Sequence, residues 1–116
     1  EVPTFGHGDM RASFYGPMFT EPGFSQIQAL LKVMDGIAET HKATVAQVAI
    51  NWALAHDYMH TVLTGVGNAA EAEENCAAAA WELTAQEKQE LDEAISKIHI
   101  YTVYLLFLIY SSSQLL

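Results

Sequence analysis

Thr64-Gly65-Val66-Gly67-Asn68-Ala69-Ala70-Glu71-Ala72-Glu73-Glu74-Asn75 is the stretch on which the reading of the fold turns. Just before it, Thr61-Val62-Leu63-Thr64 is short, β-branched and apolar and stops at Gly65, which predicts a strand near 61–64. Asn68 can cap a helix, with Glu71 three residues on. Gly65 and Gly67 carry no side chain to keep a ligand away from the backbone, and the unpaired N–H groups at a helix start favour phosphate. A strand that ends in a glycine turn and feeds a capped helix is the unit of an α/β protein. On spacing alone, a plain structural turn before a capped helix would look the same.

Outward from this stretch, helical patterns dominate. Ile27, Leu30, Leu31, Met34 and Ile37 recur at three- and four-residue steps and predict a helix over 24–41, closed by the cationic pair His41-Lys42. Thr44-Val45-Ala46-Gln47 fits a capping box that opens a helix over 44–57, with Val45, Val48, Ala49 and Trp52 on one face. Asn68 opens a third helix over 68–79, in which Ala77 to Ala80 imply close packing. Thr84-Ala85-Gln86-Glu87 is a further capping box, opening a helix over 84–97 with Leu91, Ile95 and Ile98 on one face. Residues 1–23 hold all three prolines and four of the seven glycines and read as a long binding or lid loop. A lone strand is meaningless without neighbours. The lone strand thus suggests a piece of a larger sheet protein, and a first residue that is Glu and not Met suggests a chain that is either processed or a fragment.

Composition bounds the partners. The net charge is -9, from 14 acidic against 5 basic residues, and a nucleic-acid backbone repels such a surface. Eight of the acids lie between Glu71 and Glu93, as on the solvated faces of surface helices. The single cysteine, Cys76, excludes an internal disulfide and favours a reducing compartment. A cytoplasmic location is expected, with an organelle left open. The five histidines (7, 41, 56, 60 and 99) show no metal-ligand spacing and read as surface or loop residues, and no metal is expected. Trp52 and Trp81 read as core anchors. From Ile98 to Tyr110 the chain is apolar, and no charged side chain follows Lys97. Those 13 residues are short of the ~20 that a spanning helix needs, so this tail is read as neither membrane-spanning nor part of the preceding machinery.

Three segments together resemble the aldo-keto reductases. Gly65 to Asn75 is similar to the family's Pro-Gly-Ala-Arg-Asn-Ala-x-Gln-Ala-Glu-Glu-Asn segment. Thr44 to Leu54, TVAQVAINWAL, resembles its T-P-A-Q-V-A-L-x-W-L-L helix, and Ala80 to Leu91, AWELTAQEKQEL, resembles its G-W-x-L-T-x-E-E-x-x-x-L ending. The lead-in to Arg11 and Phe14 is similar to the family's loop after strand seven. The resemblance covers roughly residues 5–97. It implies an α/β fold, the C-terminal fragment of a (β/α)8 TIM barrel, mostly helical as it stands. Residues 1–97 would be barrel, with 1–23 the cofactor and substrate loop and 24–97 the helices and last strand. Residues 98–116 would be a tail foreign to the family.

The resemblance further implies a parent that reduces aldehydes or ketones with NADP(H) or NAD(H), holding the adenosine half of the cofactor on this segment. Phosphate sites of such barrels often sit on the loops after the last two strands. Carried over by position, Gly65, Val66, Gly67 and Asn68 would surround the adenosine phosphates, Glu71 would stand against the adenine, and Glu74 and Asn75 would reach the ring. Two positions depart from the pattern. Gly67 stands where the family usually has Lys or Arg for the 2′-phosphate, and Glu71 replaces a residue that is often cationic. That opens three courses: a preference for NAD, weak binding, or decay. The family's Asp, Tyr, Lys and His tetrad has no counterpart here, so the piece alone is expected to be inactive. The alternative is a non-catalytic helical fragment or interaction module with an apolar C-terminal tail.

Overall fold

The computed structural model describes residues 1–13 and 15–100. Phe14 and most of the apolar tail, from residue 101 on, lie outside the described residues. The chain divides into two compact units, residues 1–28 with the segment from Lys97, and residues 29–96. Four α-helices are present among the described residues: α1 (Gly23–His41), α2 (Val45–Leu54), α3 (Ala69–Ala77) and α4 (Ala85–Ser96). The first helix begins in the first unit and ends in the second.

The first unit is built from turns. Pro17 sits in a single 3-10 turn, Gly16–Met18, as suits a residue with no N–H to place. Arg11 grips Asp9 through both its Nε and an Nη nitrogen, at 3.0 and 2.7 Å, and lies over the Phe5 ring, which meets Phe19 edge to face. The Arg11 guanidinium lowers the Asp9 carboxyl to about 2. Gly23 is required here: a Cβ on it would fall 1.9 Å from the Pro17 carbonyl oxygen. The loop expected over 1–23 is thus a run of folded turns that packs on itself. Beyond Lys97, the His99 N–H donates to Gln26 Oε1 at 2.6 Å.

The second unit is a helical core. The apolar stripe of α1 supplies Met34, Ile37 and Ala38; α2 supplies Val48; α4 supplies Leu91. Trp52, Trp81 and Leu83 cover this cluster from partly buried positions, so both tryptophans are core anchors as expected. The α1 helix stops where Lys42 turns left-handed at φ 52°, its N–H returning to the Glu39 carbonyl and that of Ala43 to Ala38. This is the Schellman closure, with a lysine where glycine is usual. At the other end of the unit, Thr84 and Glu87 form the full reciprocal capping box.

Four expectations need correction. The strand over 61–64 is not formed; the run is irregular and has no ladder partner among the described residues. Strands exist by pairing, and local sequence cannot supply the neighbour. The second helix ends at Leu54, not near 57. Ala49 is exposed, and Gln47 and Asn51 are buried in its place. The Thr44 box is half made: Thr44 accepts the Gln47 N–H, but the Gln47 side chain crosses to α3 instead of returning.

Candidate cofactor loop

Polar side chains of α2 and of its N-cap Thr44 hold the C-terminal half of α3 and the turn after it. Gln47 donates to the Glu74 carbonyl at 2.9 Å and Asn51 donates to the Ala78 carbonyl at 2.8 Å. Thr44 Oγ1 donates to the Glu74 carboxylate at 2.8 Å. Buried amides are stable only when bonded, and here their partners are backbone carbonyls at the C-terminal end of α3 and in the 3-10 turn (Ala78–Ala80) that follows it. Ala78 is fully buried, and the alanine run lets these elements approach. The loop over Gly65–Asn68 therefore leads into a helix held firmly from behind.

At the head of α3, Asn68 is the N-cap and accepts the Glu71 N–H at 3.0 Å. The Glu71 carboxylate turns back over the loop, accepting the Gly67 N–H at 2.6 Å and the Asn68 side-chain amide at 2.8 Å. A Cβ on Gly67 would lie 3.2 Å from that carboxylate, so the missing side chain is what lets the two meet. Asn75 reaches back to the Gly65 carbonyl at 3.4 Å. The N–H groups of Ala69 and Ala70 open the helix with no acceptor among the described residues, as the first turn of a helix leaves them.

Of the seven residues singled out from sequence, Gly65, Gly67, Asn68, Glu71 and Asn75 are joined by these bonds. Val66 is adjacent and more than half exposed, and with Ile50, Leu54 and Val62 it lines an apolar groove. Glu74 differs: its carboxylate is engaged by Thr44 on the α2 side. The Thr44 and Gln47 contacts were not foreseen, because they join residues 30 and 27 apart in sequence.

A second polar cluster lies at the junction of α1 and α4. His41 bonds Glu87 at 2.8 Å and stacks on Trp81 at 4.4 Å between ring centroids. Burial alone would raise the Glu87 carboxyl, but the bonds from Thr84 and His41 outweigh it and hold it below its usual value. His41 is thus a half-buried tie and not the loose surface residue expected. His56 is likewise part-buried, bonding the Trp52 carbonyl at 2.8 Å. Beside it, Asp92 is lowered by Lys88 and then by the Trp52 indole N–H. Among the described residues no group of three or more His, Cys, Asp or Glu could hold a metal ion, and no helix is long and apolar enough to cross a membrane.

A glycine loop that delivers open amides at the head of a helix is the arrangement with which α/β proteins meet phosphate groups. The chain belongs to the Aldo/keto reductase family, whose model matches residues 4–96. Membership implies a parent of (β/α)8 design and oxidoreductase class. No curated protein and no solved structure matches the chain.

Proposed function

We propose that this chain is the C-terminal cofactor-holding part of an NAD(P)H-dependent aldo-keto reductase, a barrel enzyme that reduces aldehydes or ketones by hydride transfer. The family match over residues 4–96 carries the reading. The loop chemistry supports it. Open amides at Ala69 and Ala70 suit the phosphates that link the two halves of the dinucleotide, and no side chain at Gly65 blocks approach, since a Cβ there would meet nothing within 4 Å. The cofactor supplies the hydride, while residues 65–75 bind and orient its adenosine half.

The piece itself carries out no reduction. No segment of it resembles the family's Asp, Tyr, Lys and His tetrad, and catalysis needs a proton donor placed against the carbonyl. Oxidation of NADH or NADPH with a simple aldehyde should run at the no-protein rate when the chain is added. Turnover clearly above that rate would sink the division of labour proposed here.

A further inference from the structure

Residues 61–64 carry bonding capacity that the second unit does not use. None of their backbone N–H or carbonyl groups has a hydrogen-bond partner among the described residues. No turn or bend interrupts the chain from residue 59 to residue 66. Val62, Thr64 and Val66 line one groove with Ile50 of α2 and Ala72 of α3, while Leu63 is 93% exposed. That alternation is the two-residue period of an extended chain. The run thus has the side-chain pattern of a strand and lacks only the ladder. Its free backbone edge is a template for a strand from another chain.

Charge and register favour a second copy of the same run. In a chain of net charge -9, no Asp, Glu, Lys or Arg occurs between Asp57 and Glu71. Two copies can therefore meet along this stretch without like charges opposite one another, which would destabilise the pair. Two identical antiparallel strands are related by a two-fold axis normal to the sheet, and residues directly opposite each other point to the same face. With the axis at Leu63, each Leu63 stands across from its counterpart, Val62 across from Thr64 and Thr61 across from Gly65. The most exposed large apolar side chain then leaves water against itself. The first acid, Asp57, falls opposite the uncharged Ala69. We propose that residues 61–64 are a self-association edge through which two copies of this chain pair as antiparallel strands. The proposal is independent of the cofactor reading.

The test is sedimentation of the full chain over a wide range of concentration, for the parent sequence, for Leu63→Asp, for Leu63→Lys and for an equal mixture of the two variants. The parent should pass from monomer to dimer as concentration rises, and amide exchange at residues 61–65 should slow with it. Each variant alone sets like charges across the axis and should associate at least about tenfold more weakly. The mixture sets opposite charges there and should recover the dimer. Helix content by circular dichroism should be the same throughout, because an exposed side chain leaves the helical core untouched. A parent chain that stays monomeric at every concentration would overturn the proposal. So would variants that associate as well as the parent, since another surface would then hold the copies together. A mixture no better than its components would exclude the two-fold pairing at Leu63 and overturn it as well.

Discussion

Val48 and Leu91 are 0% and 1% exposed, while Leu63, an apolar residue of the same chain, is 93% exposed. The first two sit where α1, α2 and α4 close on one another. The third belongs to the run that leads to the glycine loop and α3. The helical core is held by apolar contact and by the His41–Glu87 tie, whereas the loop is held by polar bonds among Gly67, Asn68, Glu71 and Asn75, with its apolar residues left outside. Cores made of local helices need only their own sequence. A run such as Thr61–Thr64, apolar on both sides, needs sheet neighbours. The contrast separates a region whose packing is supplied by nearby helices from one whose apolar residues have no packing partner among the described residues.

The largest effects should separate the two regions. Leu91→Ala should cost about 2–5 kcal/mol, a large share of the ~5–15 kcal/mol of a typical domain, and lower the urea midpoint accordingly. Leu63→Ala should stay within about 0.5 kcal/mol, since nothing packs on that side chain. Comparable losses at both positions would mean that the run over 61–64 is packed after all.

A smaller effect concerns acid. The Glu87 carboxyl is held below its ordinary 4.5. The folded chain therefore keeps it ionised at pH values where the unfolded chain takes up a proton. That contribution to stability is complete above about pH 4.5 and is lost as pH falls through the lowered value. Thermal melts from pH 7 downward should show the fall, and Glu87→Gln should flatten part of it, Asp92 accounting for some of the remainder. An unchanged pH profile in Glu87→Gln would break the tie assigned to His41 and Glu87.

The helices were legible because their signals are local. The steps from Leu30 to Met34 to Ile37 and the caps at Thr44, Asn68 and Thr84 are all present where spacing alone puts them. The strand expected at 61–64 is absent for the opposite reason: β-branched residues advertise a strand, but a strand forms only with a second segment to pair its backbone. The candidate site was legible as a set of positions and not as a set of bonds. Asn68 and Glu71 have the spacing of a reciprocal cap, yet the Glu71 carboxylate returns to Gly67, one residue earlier, because glycine leaves room for it. Nothing local marks Gln47 for the Glu74 carbonyl or His41 for Glu87, which lies 46 residues away.

The most direct test of the proposed cofactor loop is amide mapping of the full chain, isotope-labelled, during titration with NADH. The account predicts shifts concentrated at Gly65, Gly67, Asn68, Ala69, Ala70 and Glu71, with the core amides of Val48 and Leu91 unmoved. Shifts centred elsewhere, or none at saturating NADH, would contradict it.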